Sequence, residues 1–282
     1  MQEQPFKIIG IGAAFSPNLK ANLYEAARLS LYFNAKLILI HVGEQADDKL
    51  QKFATILEEF KQEGLNYEVV FRTGKPVDVI LEITKEKEID LLIVGALQRE
   101  NILNYYVGSI ARKITRKANC SVLLLIKPST DRIPCQHVVV NGLEDPKTQQ
   151  TLGTAFYVAQ QLSSPKLTIV EEIKQQEVAV NVDDYKSLQE ATIKKEQIRL
   201  REDSRVQTLV DLIPKAVKKD IIVETQSIFG KQGYSIGHYA QFVRADLLVM
   251  NAPSKMSFWD RLFPHDIEHI LTELPTDVLI VQ

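Results

Sequence analysis

The chain has 282 residues, an apolar fraction of 45% and a formal net charge of −2, which suits one large or two ordinary globular domains with sizeable cores. Charge of both signs spread over both halves excludes a global field that would gather nucleic acid or an anionic membrane surface. The two cysteines, Cys120 and Cys135, form no C-x-x-C and sit in apolar, strand-like surroundings, the pattern of inert thiols in a reducing compartment. In chain order, the start "MQEQPFKIIG" lacks the basic-then-apolar order of a signal peptide, and no apolar run nears the ~20 residues of a spanning helix. A cytoplasmic protein with no membrane partner is expected. "KIIGIG" then reads as a strand, "LKANLYEAARLSLYF" as a helix, "KLILIHV" as a strand, residues 47 to 63 as a helix and "YEVVF" as a strand. The helix "VDVILEITKEKE", the strand "DLLIVG", another helix and the strand "SVLLLI" follow. Strands alternating with helices predict a parallel sheet with right-handed crossovers, and runs as apolar as "LLIV" predict helices on both of its faces.

The pattern then recurs. "DLLIVGA" from Asp90 matches "DLLVMNA" from Asp246, and "SVLLLI" matches "DVLIV" with Val122 against Val278, both at an offset of 156 residues that also pairs Gly74-Lys75 with Gly230-Lys231. The early strands repeat at a smaller offset of 130 residues, "KIIGIG" against "HVVVNG" and "AKLILIHV" against "PKLTIVEE". The difference measures an insertion of 26 residues in the second copy, where "DDYKSLQEATIKKEQIRLREDSRVQTLVDLI" reads as helix of mixed charge. Two duplicated α/β domains are predicted, residues 1–130 and 134–282, with the helical insertion at about 175–210 and a linker around "KPSTDRIP", residues 127 to 134.

With these motifs in their order, the chain resembles a tandem universal stress protein over nearly its whole length. The resemblance implies two Rossmann-like domains of the adenine nucleotide alpha hydrolase type, each a five-stranded parallel sheet of order 3-2-1-4-5 flanked by helices. It implies a loop after strand 4 of pattern G-x2-G-x9-G-[S/T] that wraps ATP phosphates, with an Asp closing strand 1 and a Val closing strand 2 to hold the adenosine. It also implies pairing of the fifth strands, here "SVLLLI" and "DVLIV", so that the domains form an intramolecular pseudo-dimer, with a homodimer as a further level of association. Such pairing would cover two sheet edges that otherwise invite aggregation.

Against the loop pattern, Gly95 fills the first position, Gln98 replaces the second glycine, and Gly108-Ser109 completes it. Free N–H groups at a helix N-terminus favour an anion, and Arg99, Arg112 and Lys113 lie nearby. A Cβ at Gln98 would cost ~1–2 kcal/mol if that position needed a left-handed backbone. Ala13 stands where the nucleotide-binding branch has Asp, which removes a hydrogen bond worth ~1–3 kcal/mol. Val42 keeps the apolar position. At ~1.4 kcal/mol per tenfold, the two departures weaken a micromolar site by one to three orders of magnitude. The expected ligand set is Val42, Gly95, Gly108 and Ser109, with no certain cofactor and at most weak ATP, ADP or AMP binding in the first domain. The other reading of Ser109 is a helix cap that binds nothing.

In the second copy the same positions hold Asn251, Ser254, Pro264 and His265. No glycine remains, and Asp266 and Glu268 place carboxylates where phosphate would sit, so no nucleotide is expected there. "MSFWDRLF" reads as packing over the vacant crevice or at an interface. "HDIEH", His265 to His269, matches a zinc-protease arrangement but lies in the expected fourth helix with only 13 residues after it, so no metal site is assigned. The cations Arg112, Lys113, Arg116 and Lys117 read as a solvated face rather than a nucleic-acid patch, His41 as a satisfied strand-end histidine, and Asp145 before Pro146 as a turn or cap residue. No catalytic residue emerges. The expected function is a non-catalytic stress-response protein that acts by binding, with an interaction scaffold and an ATP hydrolase as rivals.

Overall fold

The chain divides into two compact units, Met1–Pro134 with Thr276–Gln282, and Cys135–Pro275. This is a computed structural model that describes residues 4–95, 97–98, 105–106, 109–174, 177, 183–230, 235–252 and 276–282.

In the first unit β1 (Ile8–Gly12) leads through α1 (Leu19–Tyr32) to β2 (Lys36–Val42), through α2 (Asp47–Gln62) to β3 (Tyr67–Arg72), and through α3 (Pro76–Glu86) to β4 (Leu91–Gly95). The short strands β5 (Leu97–Gln98) and β6 (Tyr105–Tyr106) precede α4 (Ser109–Lys117) and β7 (Ser121–Leu125). The helices form where apolar residues recur at helical spacing. Leu19, Leu23, Ala26, Ala27 and Ser30 make the buried stripe of α1, and Phe53, Leu57 and Phe60 that of α2. Asp47 and Asp48 in the first turn of α2 and Lys61 in its last complement the helix dipole, and Gly64 leaves the helix at φ 98°, where a side chain would be strained. Pro76 opens α3, where its missing N–H costs nothing.

Strand order in this unit is β3-β2-β1-β4-β7, all parallel, with Ile11 opposite both Leu39 and Ile93. That is the expected 3-2-1-4-5. One strand is added: the C-terminal β12 (Asp277–Val281) lies antiparallel beside β7, with Leu123 opposite Leu279. The pairing expected of "SVLLLI" and "DVLIV" is therefore formed. The second unit's own compact set holds the first four strands of that order, since β12 groups with the first unit. Asp277 also accepts the Ile126 N–H at 2.7 Å. The stretch read as a linker is tied down as well: the Arg28 guanidinium donates to the carbonyls of Ser129 and Thr130, and Glu25 accepts the Ser129 N–H.

The second unit contains β8 (His137–Asn141), α5 (Thr148–Gln161), β9 (Lys166–Lys174), α6 (Tyr185–Asp211), α7 (Lys215–Lys218), β10 (Ile222–Gly230), α8 (Ser235–Phe242) and β11 (Leu247–Asn251). Its parallel strands run β10-β9-β8-β11, with Asn141 opposite Val170 and Glu171 opposite Ser227. The insertion is no separate module. It lies in the crossover that α2 makes in the first unit, and α6 reaches 27 residues against 16 for α2. Asp184 and Ser187 close a capping box at its start, while Ala191, Ile198, Glu202, Val206 and Val210 form its buried face. Ile198 packs with Ile173 and Phe229 at the carboxyl ends of β9 and β10.

Candidate functional site

The carboxyl ends of β1 and β4 are neighbours from which crossovers leave to opposite faces, the switch point at which open α/β sheets bind ligands. On the β1 side, Ala13 is 2% exposed. Its N–H donates to the Ile40 carbonyl at 2.8 Å, and its carbonyl oxygen lies 2.8 Å from His41 Nδ1, which must be the protonated ring nitrogen. The His41 ring sits among Phe15, Phe53 and Phe71 at centroid distances of 5.1, 6.0 and 5.3 Å. Phe15 is stacked on Phe53 at 5.1 Å and carries the Lys52 ammonium 4.9 Å from its ring centre. His41 is thus satisfied, as read from sequence, and it belongs to an aromatic wall that the sequence reading missed because Phe15, Phe53 and Phe71 are far apart in the chain. Val42 follows at the strand end, partly buried.

On the β4 side, Gly95 backs onto the first turns of α1. A Cβ at this position would lie 2.8 Å from Asn22 Nδ2 and 2.9 Å from Asn22 Oδ1, so only glycine fits without moving that amide. Asn22 Oδ1 is buried and has no hydrogen-bond partner. The chain then makes a short antiparallel ladder, with Leu97 opposite Tyr106 and Gln98 opposite Tyr105, before Ser109, exposed, opens α4. Gln98 therefore has extended backbone, which any residue adopts, and the left-handed cost considered for it does not arise. Of the four expected ligand residues, Val42, Gly95 and Ser109 close β2, close β4 and open α4, all in the first unit. Gly108 lies outside the described residues, as does Arg99.

At the corresponding end of the second unit the chemistry is different. Glu171 and Ser227 stand opposite each other where the first unit has His41 and Phe71, and the Ser227 hydroxyl donates to Glu171 Oε2 at 2.8 Å. Arg205 of α6 donates to the carbonyls of Gly142 and Leu143 in the loop after β8, and pairs with Glu202 at 2.8 Å. Val206 of the same helix is fully buried and closes on Gly142. Burial pushes the Glu202 carboxyl up, but hydrogen bonds from Arg205 and Arg201 hold it below its ordinary value. Burial raises the Glu171 carboxyl, against the lowering effect of Ser227 and Arg205. Asp145 makes the expected turn, accepting the Lys147 N–H at 2.8 Å and, through its carbonyl, the Thr148 N–H. Asn251 ends β11, while Ser254, Pro264, "MSFWDRLF" and "HDIEH" lie outside the described residues. Among the described residues no three His, Cys, Asp or Glu side chains gather to hold a metal, and no helix is long and apolar enough to cross a membrane.

Residues 43–125 match the model of the universal stress protein family. A universal stress protein of Methanocaldococcus jannaschii is 26% identical over 96 residues, 34% of this chain and 55% of that protein. Universal stress protein YxiE of Bacillus subtilis is 28% identical over 68 residues, 24% of this chain and 46% of that protein. The chain thus spans about half the length of the curated relatives it matches. Among solved structures, a universal stress protein from Archaeoglobus fulgidus aligns over 100% of this chain and 99% of its own at 14% identity and a TM-score of 0.67. A functionally unknown protein from Pseudomonas aeruginosa covers 99% of this chain and 93% of its own at 15% identity and a TM-score of 0.69. These two likenesses extend the fold across both units.

Proposed function

We propose that this tandem universal stress protein, with the family's sequence in its first unit and the same fold repeated in its second, acts in the cytoplasm by binding rather than by catalysis. Its first unit takes an adenine nucleotide weakly, through Val42, Gly95, Gly108 and Ser109. The observation that carries this reading is the crevice between the ends of β1 and β4. There Gly95 leaves room against Asn22, whose buried Oδ1 lacks a partner, and an adenine amino group or a ribose hydroxyl is the kind of donor that oxygen lacks. Ser109 opens a helix, and the N–H groups of a helix N-terminus suit phosphate. Ala13 offers no carboxylate and its own polar groups are already engaged, which supports weak rather than tight binding.

A ligand held only by the folded first unit stabilises it in proportion to nucleotide level, so weak affinity makes the response follow that level. Calorimetric and thermal-shift titration with ATP, ADP and AMP tests this, alongside Gly108→Val and Ser109→Ala. Saturable binding in the high-micromolar to millimolar range, lost in the variants, is the expected result. Silence at millimolar nucleotide refutes the site, and turnover of ATP by the purified chain refutes the non-catalytic reading. A scaffold role is the second reading. It is favoured by α6, whose Tyr185, Ile193 and Leu200 are 75%, 57% and 52% exposed.

A further inference from the structure

Four buried side-chain polar atoms among the described residues have no hydrogen-bond partner: Asn22 Oδ1, Thr151 Oγ1, Glu171 Oε1 and Asn251 Oδ1. The last three lie in the second unit, and all belong to its carboxyl end. Glu171 lies towards the end of β9, Asn251 ends β11 and Thr151 lies in the first turn of α5. Their residues are 1%, 7% and 0% exposed, in that order. Native interiors leave few such groups, and each one calls for an explanation. The surrounding polar groups are already matched. Asn251 Nδ2 donates to Thr148 Oγ1 at 3.1 Å, the Thr148 hydroxyl donates to the Leu143 carbonyl, and Arg205 donates to Leu143, Gly142 and Glu202. What remains is two pure acceptors and a hydroxyl.

A phosphate dianion, itself an acceptor, satisfies neither acceptor, so this end of the second unit is inverted in chemistry relative to a nucleotide loop. Charge points the same way. Among the described residues Glu171 bonds only the Ser227 hydroxyl, whereas the nearby guanidinium of Arg205 is committed to Glu202 and to backbone carbonyls. A carboxylate this deeply buried calls for a cation or a proton. Because the described residues bring no three metal-ligating side chains together, an organic cation with N–H donors suits the arrangement better than a bare metal ion.

We propose that the second unit binds a small primary amine carrying a further hydrogen-bond donor, such as an amino alcohol or a diamine, beneath α6 at the carboxyl ends of β8, β9 and β11. The ammonium meets Glu171 Oε1, and the other donor is taken up by Thr151 and Asn251. Arg205 and Val206 of α6 form the cover of this site. The extra length of the crossover therefore places Arg205 and Val206 over the loop after β8.

The test is calorimetry and thermal shift on the full chain with ethanolamine and 1,4-diaminobutane, against sodium and tetramethylammonium at equal ionic strength. Tetramethylammonium has the charge but no N–H. A saturable response to the two amines alone is expected, weakened at least ~10-fold by Glu171→Gln through loss of the charge-assisted bond and left unchanged by Gly108→Val. Thr151→Val, which keeps the shape of the side chain, guards against a folding defect in the first variant and weakens the amines to a smaller extent. An equal response to tetramethylammonium or sodium, survival of amine binding in both Glu171→Gln and Thr151→Val, or no amine response at all overturns the proposal.

Discussion

The ring Nδ1 of His41 lies 2.8 Å from the carbonyl oxygen of Ala13, joining the end of β2 to the end of β1 just outside the candidate nucleotide crevice. Both residues are buried. His41→Phe keeps an aromatic ring beside Phe15, Phe53 and Phe71 but leaves the Ala13 carbonyl unpaired, a loss of about 1–3 kcal/mol. Urea unfolding measures it, and a change under ~0.5 kcal/mol, typical of surface substitutions, contradicts the assignment.

Gly95→Ala places a methyl group within 3.1 Å of the Asn22 carboxamide. The amide must swing away, so nucleotide binding to the first unit falls at least ~10-fold for a loss of ~1.4 kcal/mol. Titration with ATP checks this. Equal affinity in wild type and variant would place the ligand elsewhere.

Arg205 ties α6 to the loop after β8 and neutralises Glu202, which is 7% exposed. Arg205→Met keeps much of the stem but removes both roles. The expected cost is about 2 kcal/mol, below the 3–5 of a fully buried broken pair, because Arg201 still holds Glu202. Hydrogen exchange should quicken in α6 and in the loop at Gly142, while the first unit stays protected.

Cys120 is buried, and burial pushes its thiol up to about 11. Since the thiolate is the reactive form, native protein treated with iodoacetamide near pH 8 should be alkylated at Cys135, which is partly exposed, well before Cys120. Peptide mass mapping over time decides it. Early modification of Cys120 would mean that its surroundings open readily.

Glu171 titrates in the opposite sense to a surface ion pair. Its folded-state value is raised above 4.5, chiefly by burial, within a setting of Ser227 on β10 and Arg205, Glu202 and Asp203 on α6. Folding therefore favours the protonated form. The carboxylate costs stability at pH above the raised value, and that cost is relieved as pH falls through it toward 4.5. Glu68 runs the other way. Hydrogen bonds from Lys36 and Lys87 hold it low, so its contribution is present above its ordinary value and lost as pH falls further. As pH is lowered from neutral toward 4.5, the urea midpoint of wild type should rise relative to that of Glu171→Gln. Parallel profiles would show that Glu171 carries no such shift.

The alternation of apolar strands and amphipathic helices, and its recurrence at Asp246 and Val278, carry the α/β class and the doubling on their own, because core-facing periodicity is a local property of the chain. Gly95 was read only as a loop glycine, and its close approach to Asn22 of α1 came from the fold. The left-handed backbone weighed for Gln98 is not adopted, because its conformation is set by pairing with Tyr105, seven residues on. The aromatic wall around His41 and the acceptors around Glu171 left no trace in any one segment.

What the sequence determined alone, then, is the repeated unit of strand and crossover, since it follows from side-chain pattern. Tertiary structure decided what covers the loop after β8. The long helix α6 reads merely as a polar helix until β9 and β10 place it over Gly142, where Arg205 bonds the loop and Val206 closes on it. Burial is a property of what comes to lie opposite a residue. For that reason Glu171, an ordinary acidic residue in the chain, becomes a carboxylate in need of a partner only once the sheet and its covering helix have closed around it.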